Sequence, residues 1–317
     1  MDPSRLEYEQ RVNRVIDHVR AHLGEELSLD GLARIAAFSP FHFHRIFRAI
    51  TAETLFGFIQ RLRLEHAAMA LIHHRDESIL GIALDHGFSS AATFARAFRS
   101  HFGMSATAWR TGGARRRRND GKANRKPGKT DRKSGKAATR GLRHGSPRRS
   151  KQSLSKEDAM TVSVKELPRY RVAYMRHVGP YGPHGIPELW ERFRKWMGTR
   201  GLDGPETITL GIGQDDPDVT PAEKCRYDAC VVVPEGFAGD KWVNVVDVPG
   251  GKYAVTEFSG TADEIRGAWE ALYGSWLPGS GYQPDDRPCL EIYRGNPDMK
   301  GRPGAFRCEL CVPVRPL

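Results

Sequence analysis

The chain has no cysteine before position 225, no apolar run approaching the ~18 residues of a membrane span, and no aromatic side chain between residues 113 and 156. Each absence excludes something. Cys225, Cys230, Cys289, Cys308 and Cys311, an odd number in a long chain, do not make a disulfide framework. The opening Met-Asp-Pro-Ser has no signal-peptide character, and no membrane partner is expected. The expectation is a chain of the reducing cytoplasm, associated with the nucleoid. Metal ligands are equally scarce in usable spacing. His42-x-His44 and His73-His74 have no third ligand in support. Cys308-Glu-Leu-Cys311 lies on a strand pattern, where its two sulfurs point to opposite faces, and no second cysteine pair completes a zinc site. No metal, no cofactor and no catalytic residue is assigned.

What the chain has in excess is positive charge, all of it in one place. Its net charge is +11. Residues 1–112 carry +1, residues 113–156 carry +15 and residues 157–317 carry −5. The basic stretch has Leu142 and Leu154 as its only large aliphatics and cannot bury a core. It reads as a disordered tether attracted to DNA phosphates. Extended, it would span ~100 Å; as a flexible coil it averages about 35–40 Å. Three regions follow: a helical domain over 1–112, a linker over 113–158 and a second domain over 159–317.

The first domain reads as helices throughout. Residues 38–50, FSPFHFHRIFRAI, place Ser39 and Pro40 at a helix start. Phe43, Ile46, Phe47 and Ile50 then form one apolar stripe, while Phe41, His44, Arg45 and Arg48 share the opposite face. A periodic segment from Leu6 to Leu23, a segment capped by Ser28 and a long helix over 55–74 surround it. Ser78 begins SILGIALDHG, and FSSAATFARAFRSHFG follows.

These last two segments repeat the earlier pair. Ala33, Phe38 and Ser39 recur as Ala83, Phe88 and Ser89 at an offset of 50. After one inserted residue, Phe43, Arg45, Phe47 and Arg48 recur as Phe94, Arg96, Phe98 and Arg99. Two helices, a tight turn and a capped second helix make a helix-turn-helix, here in two copies. A face of arginine, imidazole and aromatic groups suits guanine edges and thymine methyls in a major groove.

The stretches SLDGLARIAAFSPFHFHRIFRAI and SILGIALDHGFSSAATFARAFRSHFG, with the helix between them, resemble the two-motif DNA-binding domain of the AraC family over nearly all of residues 8–111. The resemblance implies two recognition helices entering successive major-groove segments of double-stranded DNA. It points to Phe41, His44 and Arg45 as base readers in the first motif. In the second it points to Ala91, Ala92, Thr93, Ala95 and Arg96, with Arg99 suited to phosphate. The alanines leave Thr93 and Arg96 as the hydrogen-bonding readers there, so the first helix is expected to supply most discrimination. Ala37 stands where such turns often have glycine, as Gly87 does.

The second domain changes character. VSVKEL, RVAYMRHVG, TITLGIG, YDACVVVP, NVVDVPG, YAVTEFSG, CLEIY and FRCELCVPV read as strands. Helical segments at 187–201 and 262–277 interrupt them. Pro168 and Pro249, Trp190-Glu191 and Trp269-Glu270, and Pro234 and Pro313 recur at offsets of 79–81. The expected fold class is therefore multidomain. An all-α double helix-turn-helix domain and the basic linker precede an α+β domain of two β-β-α-β-β repeats, whose antiparallel sheet has both helices on one face. Period-2 reading groups Leu290 and Ile292 with Cys308, Leu310 and Val312 under the helices. It leaves Glu291, Tyr293 and Glu309 together on the opposite face. Carboxylates beside aromatic walls suit a lipophilic cation; ion pairing of these glutamates with Arg294 or Arg307 on a solvated face is the plain alternative.

HVGPY, DVPGGKYAVTEFSG, PCLEIYRGNP and CELCVPV resemble the GyrI-like small-molecule-binding domain, from about Thr161 to Pro316. The resemblance implies a cleft between the repeats that receives hydrophobic, often cationic compounds. Glu291 and Glu309 fall on its acid positions, with Glu309 favoured, and Tyr293, Tyr174, Trp190 and Tyr227 are the aromatic candidates. Some relatives look like hydrolases that use a pocket Glu and Tyr. The combined expectation is a DNA-binding transcription regulator with a small-molecule effector. The alternative is a DNA binder whose second domain sequesters or hydrolyses toxic compounds. The sensor would dock on the reader, on RNA polymerase or on neither.

Overall fold

The computed structural model describes residues 3–113, 160–182, 184–217, 219–295 and 302–317. The linker expectation falls almost wholly on residues outside these.

The first part is helical. It runs α1 (Pro3–Ala21), α2 (Leu29–Ile35), α3 (Pro40–Thr51), α4 (Leu55–His73), α5 (Ile79–Asp85), α6 (Ala91–Phe102) and α7 (Ala106–Ala108). The duplication is visible in the caps. Ser28 accepts a hydrogen bond from Gly31 N at 3.1 Å and Ser78 from Gly81 N at 2.8 Å. These satisfy orphan donors at the starts of α2 and α5. Ser39 caps α3 and Ser90 caps α6. The inserted residue thus falls in the second turn. Each turn needs one left-handed residue, supplied by Ala37 (φ 53°) and Gly87 (φ 76°). Each recognition helix also ends on one, Ala52 or Gly103. Phe43 and Phe47 are fully buried with Val12, Val15 and Leu62, and Phe94 and Phe98 with Leu71 and Trp109, so each motif has its own core.

The second part is one antiparallel sheet with its helices on a single face. Its elements are β1 (Val162–Leu167), β2 (Tyr170–Val178), α8 (Ile186–Gly198), β3 (Ile208–Gly213), β4 (Arg226–Val232), β5 (Asn244–Val248), β6 (Gly251–Thr261), α9 (Ile265–Ala271), β7 (Tyr282–Pro284), β8 (Leu290–Arg294) and β9 (Ala305–Pro316). The strand order is β1-β6-β9-β8-β3-β4-β2-β5, with β7 beside β9. The two repeats meet at β3 and β8 and exchange their first strands, since β1 pairs with β6 and β5 with β2. Helix α8 covers Ala173, Met175, Tyr227, Ala229 and Val231, and α9 lies over the cluster of Ala254, Phe258, Leu310 and Val312.

The face assignment from sequence is corrected in one respect. Cys308, Leu310 and Val312 do lie on the helix side, but Leu290 and Ile292 do not. They belong to a separate apolar layer on the other face, with Val172, Leu210, Tyr253 and Val255. Strand β8 is buried on both faces, so its alternation has no inside and outside to reveal. The register Glu291↔Leu310 and Ile292↔Glu309 puts the two glutamates on opposite faces.

That second face receives the helical domain. Gln10 Nε2 donates to Trp242 O at 3.0 Å, and Asn244 Nδ2 returns a bond to Gln10 O at 3.0 Å. Arg20 Nη2 donates to Gln214 O at 3.1 Å. Arg176, with its side chain 1% exposed, holds Asp228 through two bonds of 2.7 Å and Asp17 of α1 at 2.9 Å. Val219, on the loop before β4, packs against the second motif's core.

Candidate functional site

The faces of α3 and α6 expected to meet DNA are both open to solvent. Serine caps and buried phenylalanines fix the rotation of both helices, and His44, Arg45, Arg48, Arg96 and Arg99 are exposed. Phe41 occupies the first turn of α3. Thr93 is half-buried, and its hydroxyl lies 3.0 Å from the capping Ser90 hydroxyl, so part of its hydrogen-bonding capacity is used locally. The docked sheet meets α1, α4 and the end of α3, and leaves the histidine and the four arginines exposed.

On the helix side of the sheet, four of the six effector candidates come together. The Tyr227 hydroxyl donates to Glu291 Oε2 at 2.7 Å and the Tyr293 hydroxyl donates to the same oxygen at 2.8 Å. The Trp190 indole N–H reaches the Tyr227 hydroxyl at 3.3 Å, and its ring meets Tyr293 edge to face, with centroids 5.4 Å apart. Phe306 packs on Tyr293 at 5.8 Å. Trp190 comes from α8 of the first repeat, and Glu291 and Tyr293 from β8 of the second, so the cluster lies where the repeats meet. Burial first, and the Glu291 carboxylate second, push both phenols well above their ordinary range. They remain neutral donors at physiological pH. Among the described residues no basic side chain forms an ion pair with Glu291.

Gly211 makes the arrangement possible. It pairs with Glu291 across β3 and β8. A methyl group there would overlap the Tyr227 hydroxyl and the Glu291 carboxylate. A glycine inside a strand marks such a close approach, and the glycine of TLGIG was the sequence signal for this spot.

The other two candidates lie elsewhere. Glu309, favoured from sequence, sits on the second face and pairs with Lys165 at 3.0 Å and Arg294 at 3.2 Å. Arg294 is one of the two partners that the plain alternative named. Tyr174 is fully buried on the same face, where its hydroxyl donates to Asp17 of the helical domain. A shallow groove beside the start of α8, lined by His177, Glu188, Glu191, Arg192 and Lys195, mixes both charge signs.

A model of the GyrI-like small molecule binding domain matches residues 160–315, and a helix-turn-helix domain model matches residues 32–112. The SPbeta prophage-derived protein YosT of Bacillus subtilis (strain 168) is 34% identical over 166 residues, which is 49% of this chain and all of YosT. A DNA gyrase inhibitor of Escherichia fergusonii is 30% identical over 160 residues, covering 50% of this chain and 99% of the inhibitor. The first half is similar to the HTH-type transcriptional regulator YbfP of Bacillus subtilis, 36% identical over 104 residues, or 33% of this chain and 35% of YbfP. Among the described residues no helix is long and apolar enough to cross a membrane.

Proposed function

Because the chain belongs to the GyrI-like small-molecule-binding family in its second half and carries an AraC-type helix-turn-helix domain in its first, we propose that it is a transcription regulator that reads operator DNA and responds to a lipophilic cation held at Glu291. One observation supports the cation above others. Glu291 is a half-buried acid whose partners among the described residues are two phenols and an aromatic wall rather than an arginine or lysine. Both phenols bond to Oε2, which leaves Oε1 for a ligand. A large cation with spread charge loses little hydration on entry, and ring faces attract it. The carboxylate supplies the compensating charge that such a site needs.

On DNA, Phe41, His44, Arg45 and Arg48 of α3 form the principal reading face, with Thr93, Arg96 and Arg99 of α6 completing the contact. Arg45→Ala is expected to weaken binding to the preferred duplex by about 1–3 kcal/mol and to relax the base preference at one position. Equal loss on preferred and random duplexes would remove base reading from Arg45.

The test of the whole reading uses full-length protein and a duplex selected from random sequence. Duplex affinity and transcription by RNA polymerase are measured with and without tetraphenylphosphonium. A cation-dependent shift in either supports the regulator. Stoichiometric binding with unchanged DNA behaviour marks sequestration instead. Catalytic loss of an ester substrate that requires Glu291 marks hydrolysis.

A further inference from the structure

Strand β4 belongs to both clusters at once. Tyr227 reaches the Glu291 site on the helix side, while its neighbours Arg226 and Asp228 lie on the face that receives the helical domain, as alternation along a strand requires. Arg226 is 2% exposed, and its Nε and its own backbone N–H both donate to Asp215 Oδ2 at 2.8 Å. Its guanidinium carbon lies 6.0 Å from the centre of the Phe58 ring of α4. Phe58 in turn meets Phe47 at 5.4 Å, edge to face. Phe47 is the buried side of α3, the helix that presents His44, Arg45 and Arg48.

A second link runs beside the first. Lys224, two residues before Arg226, contacts Glu53 at 3.0 Å. Glu53 follows the left-handed Ala52 that ends α3, and Arg61 holds it with bonds of 2.9 and 3.1 Å. The second motif is built differently at this point. The position 51 residues after Phe58 is Trp109, whose indole N–H donates to Ala68 O at 2.9 Å inside the motif's own core.

We propose that strand β4 couples the effector pocket to the first recognition helix, through Tyr227, Arg226, Phe58 and Phe47, with Lys224 and Glu53 as a parallel contact. This rests on the effector reading of the Glu291 cluster. A ligand at Glu291 Oε1 reorients the carboxylate and draws the Tyr227 hydroxyl on Oε2 with it. The shift in β4 moves Arg226 against Phe58, and α3 changes its seat relative to α6. Adjacency of groups is not itself coupling, so the claim is one of interaction energy between two sites.

A double-mutant cycle on the full chain tests it without any ligand. Affinity for the selected duplex is measured for wild type, Tyr227→Phe, which removes the hydroxyl held by Glu291, Phe58→Leu and the double variant, each checked for folding by circular dichroism. The expected result is that the effect of Tyr227→Phe differs about fivefold or more between the wild-type and Phe58→Leu backgrounds. Multiplicative, independent effects overturn the route. Should Phe58→Leu fail to fold, Lys224→Ala takes its place in the cycle, since that lysine lies at the rim.

The ligand arm separates this claim from the reading beneath it. Tetraphenylphosphonium that binds wild type and Phe58→Leu alike, but shifts duplex affinity only in wild type, supports the strand route. An equal shift in both proteins contradicts it. Absence of tetraphenylphosphonium binding to any protein counts against the cationic effector, while the ligand-free cycle still decides the route.

Discussion

The two faces of the sheet both hold carboxylates partly or wholly out of water, and they treat them in opposite ways. On the face that receives the helical domain, Asp17 and Asp228 share Arg176, and Asp215 is matched by Arg226. On the helix side, among the described residues, Glu291 is matched only by phenols and an aromatic wall. A buried charge must be compensated, and the first face completes the compensation within the chain. Among the described residues the helix-covered face offers Glu291 no cation, and the proposed effector would supply one. Paired ions therefore mark a fixed joint, and the acid ringed by phenols is the proposed effector seat.

The largest effect that would sharpen this contrast is at the joint. Arg176→Ala strands two carboxylates in a buried interface and should cost about 3–5 kcal/mol of stability, read by denaturant unfolding. A cost comparable to that of an exposed arginine would dissolve the distinction between the faces. The joint should also be the acid-sensitive face. Burial, and then the cations of Arg20 and Arg226 with His86 between them, hold His66 down at about 3 against an ordinary 6.5. Below pH 6.5 the unfolded chain takes up a proton that the folded one refuses, so stability falls from there towards about 3. Asp215 acts later in the same direction. Burial opposes its charge, but Arg226 outweighs this and draws it to about 2, so its contribution is lost between about 3.8 and 2. A stability profile flat between pH 6.5 and 4 would contradict the assignment of His66.

On the helix side, steric change should matter more than loss of charge. Gly211→Ala forces Tyr227 and Glu291 apart and is expected to destabilise by about 1–3 kcal/mol while also weakening cation binding. Glu291→Gln keeps an acceptor for both phenols and should change stability by less than about 1 kcal/mol. If Glu291→Gln proves as damaging to the fold as Arg176→Ala, Glu291 is a structural acid and the two faces are alike.

Much of this was legible in the sequence because it is written twice. Offsets of 50 and 51 located both helix-turn-helix motifs, and the serine caps with their phenylalanine stripes fixed which side of α3 and α6 is buried. Offsets of 79–81 located the sheet repeats. The sheet's faces were not legible for a physical reason. Period-2 reading distinguishes sides only where one side is wet, and β8 is buried on both. That is why Glu291 and Glu309 were expected together and Glu309 favoured. Tyr174 looked like a pocket aromatic because its partner, Asp17, comes from the other domain 157 residues away. Arg176 in β2, and Arg226 and Asp228 in β4, charges set among apolar strand residues, were the available cue to that joint, since buried ions need partners.

The most direct test of the central claim is a titration of the full chain with tetraphenylphosphonium, followed by tryptophan fluorescence, for wild type, Glu291→Gln and Glu309→Gln. The expected result is saturable binding that Glu291→Gln weakens about 30- to 150-fold, in keeping with about 2–3 kcal/mol for a charged partner, and that Glu309→Gln leaves unchanged. Binding that survives Glu291→Gln, or falls equally in both variants, would contradict the assignment of the seat to the helix-covered face.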